Sequence, residues 1–341
     1  MAIIDNEKMM HNLEDGIDIK DYRVDFNIQE KRKLRIVFMG TPSFAVPILE
    51  GLIDNYEVLL VVCQPDRKKD RKGNVIIPDT KRVALLHNIP VFQPLNIKED
   101  YQTILDYEPD LIVTVAYGQF IPKEVVDYPK YGCINAHGSL LPKLRGGAPI
   151  HWAIINGEKT TGMTIMFMDK KMDAGDIISQ RSLDIGEDEI LDSLYRRMSI
   201  LGRELLLDTI PSIIDGTAKY FPQNESEVTF GLNVRKEEEK IDFSKSVIDI
   251  KNLVRGLNSV PGAYCLIDDK RMKVYRVEIV SSSKIGELGE IVDVDNEGMI
   301  VKCSDGYIKI LDIAMEGKKR CLVRDYFNGI KSISLVGKVL K

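Results

Sequence analysis

The chain has 341 residues, 44% of them hydrophobic and 29% charged, with a formal net charge of −5, which is too long for one small core and suits two domains. No apolar run approaches the roughly 20 residues that span a bilayer, and Met1 to Asn6 carries neither a basic nor an apolar leader region, so the cytoplasm is the expected compartment and no membrane partner is expected. Five scattered cysteines and four histidines without metal-ligand spacing exclude a disulfide framework and a zinc site; the cysteines are expected reduced, Cys63 and Cys133 in the core.

The charge is uneven. Residues Ile241 to Lys341 carry 17 basic and 14 acidic side chains, a balance of +3, and the remainder carries −8. An acidic body with a mildly basic end predicts local rather than global contact with a polyanion.

Residues 1–33, with eight acidic and six basic residues and little periodicity, read as a poorly ordered arm. From Leu34 short apolar runs alternate with helical patterns. Leu34–Met39, Glu57–Cys63, Leu111–Ala116, Cys133–Asn135 and Met163–Met168 are expected as buried strands. Between the first two, Phe44, Ile48 and Leu52 with Ala45, Leu49 and Ile53 are spaced for one helix face, with Pro42 in its first turn. Strands alternating with helices predict a doubly wound, mostly parallel α/β sheet, whose ligands sit beyond the carboxyl ends of the strands. A long helix is expected from about Asp188 to Ile214, kinked or ended by Pro211. The polar stretch Lys219 to Lys240 reads as a linker. Beyond it come a helix (Ser246–Leu257) and five short strands (Ala263–Ile267, Lys273–Ile279, Gly289–Val294, Met299–Cys303 and Tyr307–Ala314) separated by turn signals. These predict a small barrel of the oligonucleotide-binding kind, and a sandwich would give a similar pattern.

Three stretches could carry chemistry. In Cys133-Ile134-Asn135-Ala136-His137-Gly138, Asn135 and His137 project from one side of a strand end. Together they could donate to a developing oxyanion, or they could be a strand-end amide and a satisfied core histidine. Met168-Asp169-Lys170-Lys171-Met172-Asp173-Ala174-Gly175-Asp176 supplies three carboxylates after a neighbouring strand; one of them facing an imidazole would fix its tautomer and favour its charged form. The alternative is an ordinary polar turn. The loop Gln64 to Gly73 packs five basic residues into ten positions, either for phosphate contact or as a solvated loop. Gly40-Thr41-Pro42 lacks the Gly-x-Gly-x-x-Gly spacing, which argues against a nicotinamide dinucleotide enzyme, and neither a Walker-type lysine motif nor a Gly-x-Ser-x-Gly elbow is present.

Taken together, Phe38-Met39-Gly40-Thr41-Pro42, Gln64-Pro65-Asp66-Arg67, Val115-Ala116-Tyr117-Gly118 and Asn135-Ala136-His137-Gly138-Ser139-Leu140-Leu141-Pro142 resemble the methionyl-tRNA formyltransferase family. So do Arg145-Gly146-Gly147-Ala148-Pro149-Ile150, Thr161-Gly162-Met163-Thr164, Asp173-Ala174-Gly175-Asp176 and the later Gly289-Glu290-Ile291, Asp305-Gly306 and Gly317-Lys318-Lys319. The resemblance runs from about Leu34 to Asn328. It implies a Rossmann-like formyltransferase domain (34–218), a linker (219–240) and an OB-like tRNA-binding barrel (241–341). It implies 10-formyltetrahydrofolate as cosubstrate, initiator methionyl-tRNA as partner, no metal, and a monomer. Asn135, His137 and Asp173 are implied as catalytic. Ser139, Leu140, Leu141 and Pro142, with Val115, Tyr117 and Gly118, are implied to line the folate cleft. Arg71 foremost, then Arg67, Lys68, Lys69 and Lys72, and in the barrel Lys318 and Lys319, are implied to meet tRNA. The Asn–His–Asp trio is shared with all folate-dependent formyltransferases, so transfer to an amino sugar or a glycinamide nucleotide competes, as does a catalytically silent RNA-binding module. Three features depart from the family: residues 1–33 have no counterpart, Lys68-Lys69-Asp70 stands where small residues are usual, and Asn258-Ser259-Val260-Pro261 lacks the common tryptophan.

Overall fold

Alternate residues of the first strand point into two different cores. The computed structural model describes residues 33–67, 75–327 and 332–341; the expectations for residues 1–32 and for Lys68, Lys69, Arg71 and Lys72 lie outside the described residues. Strand β1 (Arg35–Gly40) sends Ile36 and Phe38 to one face of the sheet and Val37 and Met39 to the other, all four fully buried. A strand covered on both faces has no polar side to show, which is why it reads as a continuous apolar run.

The other strands of this sheet are β2 (Glu57–Val62), β3 (Val91–Phe92), β4 (Leu111–Val115), β5 (Cys133–His137), β6 (Thr160–Phe167) and β7 (Ile177–Asp184), in the order β3-β2-β1-β4-β5-β6-β7. Pairing is parallel from β3 through β5 and antiparallel at β5–β6 and β6–β7. The mostly parallel expectation holds, with β6 alone running against the other strands; β3 and β7 were not expected. The strand order reverses between β1 and β4, where an open α/β sheet leaves a crevice at the carboxyl ends. On one face, Ile48, Leu49 and Leu52 of the helix Val46–Asn55 share a core with Leu194, Met198 and Leu205 of the helix Leu191–Ile214. That long helix runs through Pro211 instead of ending there. Pro211 sits one turn from the end, so it removes a single terminal backbone bond.

Residues 219–240, expected as a linker, are laid back against this first sheet. Phe221 and Ile177 exchange two backbone hydrogen bonds of 2.9 Å, Arg145 N–H donates to Thr229 O at 2.9 Å, and Gly231 N–H donates to Arg145 O at 2.8 Å. Trp152 Nε1–H donates to Leu232 O at 2.6 Å. A polar composition here supplies backbone groups to be paired, not a free tether.

The second core lies under an all-antiparallel sheet. Its strands are β8 (Ala263–Ile267), β9 (Lys270–Val280), β10 (Ile291–Val294), β11 (Met299–Lys302), β12 (Tyr307–Met315) and β13 (Cys321–Leu322), ordered β10-β11-β12-β9-β8 with β13 on β12. Asp268 and Asp269, at φ +51° and +60°, make the tight turn between β8 and β9, as a primed hairpin turn requires. The helix Val247–Gly256, started by Ser246 Oγ accepting from Asp249 N–H at 3.1 Å, buries Val247, Ile250 and Val254 on this core. Residues 338–341 join the two outer strands. Leu266 and Lys341 exchange backbone bonds of 2.6 and 3.0 Å, while Leu340 N–H donates to Gly289 O at 2.8 Å and Ile291 N–H donates to Lys338 O at 2.9 Å. The sheet edges are thereby closed into a small barrel. Leu340 is the plug, 2% exposed. Leu340→Ala is expected to destabilise the protein by about 2–5 kcal/mol in urea unfolding; an unchanged midpoint would mean that the tail does not hold the barrel.

All five cysteines are free, four of them buried. Among the described residues no helix is long and apolar enough to cross a membrane.

Candidate active site

The crevice at the carboxyl ends of β4 and β5 is where the three expected catalytic residues meet. Thr114 and Asn135 are register partners on these strands, and Thr114 Oγ1–H donates to Asn135 Oδ1 at 3.0 Å. With its carbonyl oxygen so engaged, Asn135 presents its NH₂ group, which has no partner among the described residues, to the cavity it lines. Two residues on, His137 is 6% exposed. Its Nε2 lies 3.1 Å from Leu144 O. A carbonyl only accepts, so Nε2 carries a proton and Nδ1 is the nitrogen left for chemistry. Nδ1 faces Asp173 Oδ2 at 3.7 Å, within Coulombic reach and beyond hydrogen-bond length.

Asp173 comes from the connection between β6 and β7. It sits at φ +50°, a left-handed conformation that costs a non-glycine residue and recurs at functional sites. Its Oδ2 accepts Gly146 N–H at 2.8 Å. Gly146 is at φ +125°, and a Cβ there would stand 2.8 Å from Gly231 O, so the donor that holds Asp173 must be glycine.

These groups open on a cavity of about 270 Å³. Its apolar walls include Phe44, Ile121, Ile150, Met168 and Tyr195. Tyr117 lines it too, with a buried hydroxyl that has no hydrogen-bond partner among the described residues; burial pushes that phenol well above its ordinary range. Burial also pushes His151, which lines the same cavity, below the usual imidazole value.

Of the residues expected at the folate cleft, Tyr117 and Gly118 line this cavity. Val115 does not line it: it is buried in β4, facing the core. Nor do Ser139, Leu140, Leu141 and Pro142 line it. After Gly138 the chain turns away: Ser139 Oγ–H donates to Lys143 O at 2.6 Å, Leu141 N–H donates to Thr164 Oγ1 at 3.2 Å and Leu141 is 3% exposed. The wall is instead built by Gly146 to His151, Gln119 and Met172. The string Arg145 to Ile150 was visible in the sequence, yet without periodicity or charge to mark it as a wall. Of the expected tRNA contacts, Arg67 is exposed and donates its N–H to Ile76 O at 2.9 Å, pinning the base of the basic loop. Lys318 and Lys319 are exposed in the turn between β12 and β13.

Comparison with known proteins agrees with this geometry. The family described as "Formyl transferase" matches residues 34–210, and "Formyl transferase, C-terminal domain" matches residues 233–331. A "Methionyl-tRNA formyltransferase" of Staphylococcus aureus is 45% identical over 309 residues, covering 90% of this chain and 99% of its own; one from Staphylococcus epidermidis is 47% identical with the same coverage. Among solved structures, an N-formyltransferase from Helicobacter canadensis with folinic acid and dTDP-3-aminofucose superposes with a TM-score of 0.62 at 22% identity, covering 81% of this chain and 98% of its own. HypX from Aquifex aeolicus with tetrahydrofolic acid superposes with a TM-score of 0.58 at 19% identity and covers 87% of this chain, which spans about half of HypX, 47%. The two solved structures share the fold. The two staphylococcal sequences match nearly end to end and carry the relationship further: the chain belongs to the methionyl-tRNA formyltransferase family.

Proposed function

We propose that the protein, acting in the cytoplasm as a monomer, transfers the formyl group of 10-formyltetrahydrofolate to the free amino group of initiator methionyl-tRNA. The observation that carries the reading is the convergence on one cavity of Asn135 NH₂, His137 Nδ1 and the Asp173 carboxylate. The cavity suits the donor chemically: its mostly apolar walls would take a heteroaromatic ring. When bound, the folate supplies an electrophilic formyl carbon. Asn135 donates from its NH₂ to the formyl oxygen, where negative charge builds as the amine attacks. His137, when protonated, donates to the same oxygen from Nδ1, since Nε2 is committed to Leu144 O. Asp173, held by Gly146 N–H, faces that imidazolium and takes up the proton lost by the amine, directly or through a water. The adduct then collapses, the bond from the folate nitrogen to the formyl carbon breaks, and that nitrogen leaves as tetrahydrofolate carrying a proton in place of the formyl group.

The test is direct. Incubation with formylated folate and charged initiator tRNA should yield formylmethionyl-tRNA. Absence of that product, with an amino sugar nucleotide formylated instead, would move the enzyme to another branch of the same chemistry.

For tRNA recognition the reading rests on the basic loop and the barrel turn. Arg71 brings a planar fork and a stacking face that lysine lacks, with Arg67, Lys68, Lys69 and Lys72 as phosphate contacts beside it and Lys318 and Lys319 gripping backbone charge from the barrel. Arg71→Ala is expected to impair formylation at limiting tRNA far more than Lys68→Ala, and Arg71→Lys should not restore it. Neutralising Arg67, Lys68, Lys69 and Lys72 together should flatten the salt dependence of tRNA binding. Full activity in Arg71→Ala would shift recognition to the barrel.

A further inference from the structure

A buried polar chain links residues 219–240 to the backbone of Asp173. Arg145 and Gln223 are 4% and 9% exposed. Arg145 Nε–H donates to Gln223 Oε1 at 3.0 Å, and its outer nitrogen pairs with Glu225 Oε1 at 2.9 Å; the guanidinium holds the Glu225 carboxyl below its ordinary range. A guanidinium has donors only, so it dictates which end of the Gln223 amide it meets. The other end follows: Gln223 Nε2–H donates to Asp173 O and to Gly175 O, both at 2.8 Å. The residue after Arg145 is Gly146, whose N–H holds the Asp173 carboxylate. Asp173 is therefore gripped twice, by its carboxylate from residue 146 and by its carbonyl from the side chain that residue 145 orients. Its left-handed backbone needs such support, because an unsupported residue would relax out of that region.

Resting on the catalytic reading of Asp173, we infer that Gln223 and Arg145 are positioning residues, and that residues 219–240 complete the active site by clamping the Asp173 loop so that its carboxylate faces His137. The clamp works through donor chemistry and not through bulk. Gln223 must both accept from Arg145 and donate to two carbonyls, and glutamine is the side chain of this length that does both.

Gln223→Glu separates the two roles. The carboxylate has nearly the same shape and still accepts from Arg145, but has no N–H for Asp173 O and Gly175 O. In single-turnover formylation with saturating substrates, the rate constant should fall by about tenfold or more, with the amplitude preserved and KM for folate and tRNA within about twofold of wild type. In an Asp173→Ala background, Gln223→Glu should cost almost nothing further, because the group it positions is gone. Gln223→Met, which removes the donor without adding charge, should show the same fall and answers the question if Gln223→Glu does not fold. A wild-type rate constant in either variant overturns the inference, as do losses that multiply with Asp173→Ala, or a change confined to KM or active fraction. If Asp173→Ala alone keeps the wild-type rate, it is the catalytic reading that fails and not the clamp alone.

Discussion

Asp173→Ala is expected to lower the rate constant of formyl transfer by a factor on the order of 10² or more, and His137→Ala by a similar factor, as acid–base and oxyanion groups usually contribute. The two side chains belong to different elements, β5 and the β6–β7 connection, yet Nδ1 and Oδ2 stand 3.7 Å apart at the cavity wall. That gap is too long for a structural hydrogen bond and leaves the imidazole nitrogen able to reach the formyl oxygen. Asp173→Asn refines the test. Its amide oxygen can still accept from Gly146 N–H while the charge is lost, so an equally large fall assigns the role to charge and a small one assigns it to loop geometry. Each variant should bind folate nearly as well as wild type, because neither side chain supplies the apolar walls. Near-wild-type turnover in a folded Asp173→Ala protein would remove the assigned role.

Gly175→Ala is expected to be comparably damaging without touching a reacting group. A Cβ at position 175 would lie 1.8 Å from Phe167 O and 2.8 Å from Phe167 C, and backbone atoms inside a sheet cannot give way. Phe167 N–H also donates to this loop, to Asp176 O at 3.0 Å, so β6 and the loop cannot separate without losing a bond. The loop must therefore move, and it carries Asp173 two residues away. Displacement by about 1 Å costs on the order of 10² in rate when it misplaces a catalytic group, and overpacking costs about 1–3 kcal/mol in stability. Ala174→Gly, at the neighbouring position, serves as the control. Wild-type kinetics in Gly175→Ala would mean that the carboxylate tolerates loop movement and that its position is not critical.

How far the sequence could be read depended on what each residue type reports. β1, β4 and most of β2 are covered on both faces, so burial writes itself as mostly apolar runs. β7, Ile-Ile-Ser-Gln-Arg-Ser-Leu-Asp, is an edge strand with one wet face, and its polar half hid it. β3 has two residues, too few for any period to show. The antiparallel direction of β6 is set by its neighbours and leaves no mark in composition. At the site, Asn135 and His137 were legible because period-two spacing at a strand end puts both on one side. For Ser139 to Pro142, following His137 in sequence says nothing about direction once Gly138 turns the chain, so their place outside this cavity left no mark in the sequence. Asp173 could be chosen from three nearby carboxylates only through family resemblance. Gln223 was invisible, since its partners are two main-chain carbonyls and an arginine 78 positions away, and main-chain acceptors exist at every residue.

The way the barrel closes also bears on how it is made. Residues 338–341 join β8 to β10, with paired residues some 47 to 75 positions apart, so the contact that completes the ring is long in sequence and follows the barrel's strands in order of synthesis. During translation the first sheet can assemble from residues already in hand, whereas β8 and β10 wait with open edges until the tail arrives. Those edges are the stretch of the nascent chain most exposed to wrong pairing, and a chaperone that shields them would act on the barrel and leave the catalytic sheet untouched.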